Sequence, residues 1–267
     1  MKTKKTLWLT IIILAGCIIA GLYSCSDDDT EPDSDTVTDI DGNVYQTVTI
    51  GDQKWTTANL MVTRYNNGDS IITGLNNSEW ITTTKGAMGI YPHSQIEGLD
   101  SEQKVLSAYG ALYNWYATTN ERGICPAGWR VPSVNDWQQL VDFLMTEYGL
   151  HNEWGNPALN GVGNALKSCR QVNAPVEACN TNEHPRWHNY DNHYGTDDFG
   201  FSGLPGGYRT YEGIYDHLGR HAGWWSTSDN NPTRAGTGYT NNGNGNLVIT
   251  DYRKIEGFSI RCVRDAK

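Results

Sequence analysis

Six cysteines, seven histidines and an unusual load of aromatic residues are the side chains of this 267-residue sequence with the most chemistry to offer. Thiols can act as nucleophiles, metal ligands or disulfide partners. Cys17 and Cys25 sit in and just after an apolar leader, which leaves Cys125, Cys169, Cys179 and Cys262 in the body of the chain. An even number of cysteines outside the cytoplasm favours disulfides over thiol chemistry, and four allow three pairings. His184, His188 and His193 cluster in a segment rich in Pro and Asn, and that setting reads as a solvent-exposed loop. Asp197-Asp198 and Asp229-Asn230-Asn231 could offer oxygens to calcium, yet such runs are expected as solvated turns. No paired-carboxylate, nucleophile or phosphate-loop motif stands out, so no enzyme, cofactor or metal site is expected.

Aromatic rings are more informative. Trp187, Tyr190, Tyr194, Tyr208, Tyr211, Tyr215, Trp224 and Trp225 crowd a half of the chain that is dense in Gly and Asn. Rings beside amide side chains can stack on sugars and hydrogen-bond their hydroxyls. Trp224 and Trp225 are expected in the core. Trp187, Tyr190, Tyr194, Tyr211 and Tyr215 are the expected ligand-binding residues, within residues 181–246 and away from the helix face that carries Trp137 and Leu140.

The elements that position these groups begin after an export signal. Residues 1–5 are basic, residues 7–23 are uncharged and apolar, and the run stops at Cys25. Cys17 lies in the more usual small-residue context for lipidation, but modification there would leave an apolar start to the mature chain. Cys25 is followed by Ser26-Asp27-Asp28-Asp29 and is the expected lipidated residue. The expected organisation is a signal peptide over 1–24, an acidic tether over 25–36 and one domain over 37–265. Without the first 24 residues the balance is 17 basic against 30 acidic residues, a net charge of about −13. Such a charge argues against nucleic acid as a partner.

Within the domain, residues 36–55 alternate β-branched and polar residues around Asp41-Gly42-Asn43 and turn again at Gly51-Asp52, a hairpin signature. Residues 134–144 read as the clearest helix, with Ser133 as cap and Asp136 at its third position. A weaker helix is expected over 158–167, although Gly161 and Gly163 count against it. Residues 105–117 suit strand or helix equally. Beyond residue 170, short strands joined by long loops are expected. The fold class is α+β, with one or two helices.

Thr38-Asp39-Ile40-Asp41-Gly42-Asn43-Val44-Tyr45, Gly51-Asp52-Gln53-Lys54-Trp55, Tyr109-Gly110-Ala111-Leu112-Tyr113-Asn114-Trp115, Cys125-Pro126-Ala127-Gly128-Trp129-Arg130-Val131-Pro132-Ser133, Gly200-Phe201-Ser202-Gly203-Leu204-Pro205-Gly206-Gly207-Tyr208-Arg209, Trp224-Trp225-Ser226-Thr227-Ser228 and Gly257-Phe258-Ser259-Ile260-Arg261-Cys262-Val263 follow in order. Together they resemble the Fibrobacter succinogenes major paralogous domain. The resemblance implies a C-type-lectin-like fold, nearer to formylglycine-generating enzymes than to animal lectins, on exported lipoproteins of Bacteroidetes type. It also favours pairing Cys125 with Cys262, since both lie in family-like motifs, which leaves Cys169 for Cys179. The reactive cysteine pair of the formylglycine-generating enzymes has no counterpart between Gly203 and Ser228. For the histidine set of iron-dependent relatives, His184, His188 and His193 are the clustered candidates. The calcium triplets of sugar-binding lectins do not occur within the domain.

The expected function is that of a non-enzymatic lipoprotein, anchored by lipid in the outer membrane and facing the exterior, that binds a glycan or a protein through aromatic-rich loops. A structural protein of the cell envelope is the alternative, and an enzyme of the formylglycine-generating type a more distant one.

Overall fold

The computed structural model describes residues 35–153, 160–190 and 192–266. Strands β1 (Thr36–Thr38) and β2 (Val44–Ile50) form the expected hairpin, and after the turn at Gly51-Asp52 a third strand, β3 (Gln53–Thr56), is added to the two that were expected. The first turn is built by Asp39, whose carboxylate accepts hydrogen bonds from the backbone of Asp41 and Asn43 and from the Tyr45 hydroxyl, while Gly42 takes a φ of +85°. The second turn places β3 antiparallel to β2, and the last strand β12 (Val263–Asp265) closes this four-stranded sheet beside β3.

Residues 105–117, readable either way, contain both structures. Helix α2 (Glu102–Tyr109) ends at Gly110, whose φ is +77°; strand β5 (Leu112–Asn114) and helix α3 (Trp115–Thr118) follow. A Cβ at Gly110 would lie 2.6 Å from that of Asn59, so only glycine fits this turn. With α1 (Asn77–Thr82), α4 (Val134–Tyr148) and α5 (Val162–Leu166), the described residues hold five α-helices where one or two were expected. The additional helices are too short to print a 3.6-residue period, and side-chain caps on Asn76, Ser101 and Asn114 start them.

Helix α4 has the expected capping box of Ser133 and Asp136, reinforced by Arg130 on the Asp136 carboxylate at 2.5 and 2.8 Å. It runs a turn beyond residue 144 because Gly149, at φ +65°, supplies the stop. In α5, Gly161 and Gly163 are required: a Cβ on either would come within 2.2 Å of the carbonyls of Gly245 or Asn246. The first part of the expected helix over 158–167 falls outside the described residues.

A second sheet has the order β4 (Met88–Gly89), β5, β11 (Gly257–Phe258), β6 (Tyr208–Arg209), β7 (Tyr215–Asp216). The third is a meander of β8 (His221–Asn231), β9 (Arg234–Asn241) and β10 (Val248–Arg253). At eleven and eight residues, β8 and β9 correct the expectation of short strands in this half. Their apolar alternation is hidden by Gly236 and Gly238, which leave room for α4: a Cβ on Gly238 would lie 2.9 Å from the Trp137 ring. Residues 221–241 therefore press on the helix face of Trp137 and Leu140, and the expectation that residues 181–246 lie away from it is wrong.

The core between α4 and the third sheet is a block of indoles. Trp137 stacks on Trp224 at 5.7 Å and meets Trp55 at 4.7 Å, with Phe201 edge-on to all three. One polar hub runs through it. Asn59 accepts from Trp224 Nε1 and Arg261 Nε, and the Arg261 guanidinium also donates to the carbonyls of Thr56, Phe201 and Ser202. Burial pulls the Arg261 pKa down to about 9, which still leaves it charged at neutral pH.

Candidate functional site

Alternation along a strand sends successive side chains to opposite faces, so the third sheet has two surfaces. Ala222, Trp224 and Ile249 point to α4. His221, Trp225, Ala235, Tyr239 and Tyr252 point the other way, towards β6 and β11. There Tyr208 and Phe258 meet them. Ring centroids run from Tyr208 to His221 (5.1 Å), to Tyr239 (4.8 Å), to Tyr252 (6.1 Å), to Phe258 (4.9 Å) and back to Tyr208 (5.5 Å). The result is a closed circuit of five rings, with Trp225 edge-on beneath Phe258 and His217 stacked on the outer face of Tyr208. Gly223 makes it possible, because a Cβ there would lie 2.6 Å from Phe258.

Phe258 and His221 are buried and form the floor, whereas Tyr208, Tyr239 and Tyr252 are half-buried and form the rim. None of the three rim hydroxyls has a hydrogen-bond partner among the described residues, and none is a stranded buried atom, so all three reach solvent. Burial raises the pKa of each phenol, and they remain neutral donors. The same burial drives the His221 pKa down to about 3, leaving a neutral ring whose Nδ1 has no partner.

Glu256 completes this basin. Its side chain is 5% exposed, and burial lifts its pKa to about 7 against the pull of the Arg253 backbone N–H and the Arg234 and Arg253 side chains. Its charge adds to the upward shift of Tyr208 and Tyr252 on the rim.

A second, polar cleft of about 330 Å³ lies beyond His217 and includes His184, Arg186, His188, Asp216 and Arg220. Its groups are largely committed to one another. His217 pairs with Asp216 at 2.9 Å, Arg220 Nε donates to His188 Nδ1 at 3.2 Å, and His184 lies between Tyr109 and the Glu97 carbonyl. His193 is buried elsewhere, stacked on Tyr190. The three histidines do not converge, and among the described residues no group of three His, Cys, Asp or Glu could hold a metal. Asp197 instead caps Ser202, and Asp229 pairs with Lys254 at 2.8 Å.

The expected ligand-binding residues are dispersed. Trp187 is a correction: it is 1% exposed, its Nε1 donates to the Gly203 carbonyl, and it packs in the core around α4. Tyr190 is 42% exposed, and Tyr194 is half-buried in the same loop. Tyr215 is half-buried against Tyr91 and the Arg209 guanidinium. Tyr211 is 45% exposed beneath the Arg253 guanidinium at 4.3 Å. Tyr239, Tyr252, His221 and Glu256 were missed. Their signal was alternation in β9 and β10, obscured by glycines and polar residues.

Cys125 and Cys262 are bonded with Cα atoms 5.8 Å apart, as are Cys169 and Cys179 at 4.7 Å. Cys25 lies outside the described residues, and among those described no helix is long and apolar enough to cross a membrane. Sequence reasoning also missed Lys167. Its buried ammonium donates to the carbonyls of His193, Asn241 and Asn244, and burial brings its pKa down to about 7.

The sequence profile of the Fibrobacter succinogenes major domain matches residues 48–264, which include all the residues of the basin. The chain belongs to this family. No curated protein and no solved structure matches it. The Fibrobacter succinogenes major domain thus contains the indole core, the Asn59–Arg261 hub, both disulfides and the ring circuit within one matched stretch.

Proposed function

We propose that this chain is a non-enzymatic binding module, displayed on the exterior of an outer membrane by a lipid on Cys25, and that the five-ring basin is where it holds a glycan. The single observation that carries this reading is the basin itself: a closed set of rings with three tyrosine hydroxyls open to solvent on an otherwise packed face. Such a ledge stacks the apolar face of a pyranose while the phenols hydrogen-bond its hydroxyls. No metal is needed for that contact. Stacking on one or two rings supplies a few kcal/mol, or about millimolar to micromolar affinity, and dense display on a surface multiplies it. The C-type-lectin-like relationship and the Bacteroidetes-type lipoprotein setting belong to the same proposal and rest on the sequence motifs. A purely structural envelope role is the competing reading.

Titration of purified domain with neutral and charged oligosaccharides, with and without EDTA, tests the site. Binding should survive EDTA and weaken at least tenfold in Tyr239→Ala and Tyr252→Ala. Binding abolished by EDTA, or untouched by both substitutions, removes the basin from consideration. Palmitate-analogue labelling of cells should disappear in Cys25→Ala, and label lost instead in Cys17→Ala would move the anchor.

A further inference from the structure

Glu256 separates this basin from a plain stacking ledge. It lies two residues before Phe258, and Gly257 between them faces Trp80, Arg209 and Leu112 on the opposite side of the strand. Glu256 is the bend residue just before β11, two positions from Phe258 on the basin floor, and its charge acts on the rim phenols of Tyr208 and Tyr252. No side chain among the described residues hydrogen-bonds or ion-pairs with the Glu256 carboxyl. The nearby cations have other partners: Arg234 pairs with Asp251 at 2.9 Å, Lys254 with Asp229 at 2.8 Å, and the Arg253 guanidinium lies over Tyr211. A desolvated acid without a counter-ion, beside ring faces that carry negative electrostatic potential, is complementary to a positive charge on the ligand.

We propose that the glycan taken by the basin is an amino sugar with a free ammonium, its ring stacked on the tyrosine rim and its ammonium against the Glu256 carboxylate. This rests on the basin reading above and narrows its ligand class. The N-acetylated form of the same sugar stacks equally well but leaves the carboxylate desolvated and without a counter-ion, and that is the basis of discrimination. The groups facing Glu256 from neighbouring elements are Tyr208 on β6, Arg234 on β9, and Tyr252 and Arg253 on β10. Asp216 and the neutral His221 are further titratable groups near Tyr208. The rim phenols and His221 do not change charge near neutrality. Because Glu256 is partly protonated there, an arriving ammonium displaces its proton into solution.

The test is calorimetric titration at about pH 6.5 with a glucosamine trimer, its N-acetylated counterpart and cellotriose, repeated in two buffers of different ionisation enthalpy. Wild type, Glu256→Gln and Tyr252→Ala are compared, with thermal melts to confirm folding. The expected result is at least tenfold tighter binding of the free amine over its N-acetyl form, with net proton release. Glu256→Gln should erase both the preference and the proton release while residual stacking remains. Equal affinity for the two trimers, with binding still lost in Tyr252→Ala, overturns the amino-sugar assignment and leaves the basin standing. A preference that survives Glu256→Gln also overturns it. Failure of all three sugars to bind folded wild type overturns the basin reading along with it.

Discussion

The two faces of the β8–β9–β10 sheet carry aromatic rings in similar numbers and put them to opposite uses. On the α4 face, Trp55, Trp137, Phe201 and Trp224 are fully buried, and their rings are covered on every side. On the other face, Tyr208, Tyr239 and Tyr252 stand half-buried around a floor of His221 and Phe258, with Trp115 of the short helix α3 packed into the same cluster. The difference lies in residue type as much as in position. An indole has one polar atom, which Trp224 aims at Asn59 and Trp55 at Gln53, so a block of indoles can close at the cost of one stranded donor, Trp137 Nε1. A phenol carries its hydroxyl at the tip, and three of them pointing outward keep a face wet. Aromatic content alone therefore says little about binding, whereas the fate of the polar atoms says a good deal.

The largest effect should come from truncating the closed face. Trp137→Ala removes a ring shared with Trp55, Phe201 and Trp224 and should cost about 3–5 kcal/mol in urea unfolding. Reducing the Cys125–Cys262 bridge, or Cys262→Ala, should cost about 2–5 kcal/mol, since the bridge spans 137 residues. That loss should fall on both faces alike, and a basin that failed before the indole block would show that the two melt separately.

Glu256 sharpens the contrast through pH. Its folded pKa of about 7 stands above the ordinary 4.5, so the folded state holds a proton that the unfolded chain has already released. Its stabilising contribution is complete below about pH 4.5 and declines as pH rises to about 7, by up to about 3 kcal/mol. In Glu256→Gln that part of the stability profile should flatten, with the variant the more stable near pH 8. A profile unchanged by the substitution would mean that the carboxyl is solvated. The smallest effect belongs to the rim: Tyr239→Phe and Tyr252→Phe should each alter stability by no more than about 0.5 kcal/mol, because the hydroxyls have no partner in the protein to lose. Larger losses would make the rim part of the core.

Local features were legible in advance. The Asp41-Gly42-Asn43 turn, the Ser133–Asp136 cap and the even cysteine count each express chemistry confined to a few residues, and family motifs singled out the pairing of Cys125 with Cys262. The basin was not legible, because it is a product of register. Tyr239 lies opposite Val248 and Tyr252 opposite Ala235, and only this alignment brings two tyrosines thirteen positions apart into one circuit with Tyr208 and Phe258. Glu256 looked like any surface acid, since burial, which alters its chemistry, is not written in its neighbours. Trp187 was misjudged for the converse reason: a polar surrounding sequence suggested exposure, yet α4 and Phe201 lie in the same core cluster.

Lys167 holds the carbonyls of His193, Asn241 and Asn244 as a bound cation would, but its charge is covalently attached to the chain. Such a tether gives the ammonium a high effective concentration at its own site. Dilution cannot wash it out and no chelator can extract it. Only a proton can leave, and with a pKa of about 7 most have done so in mildly alkaline medium. The neutral amine left behind still donates hydrogen bonds, so this knot of three loops slackens without coming untied.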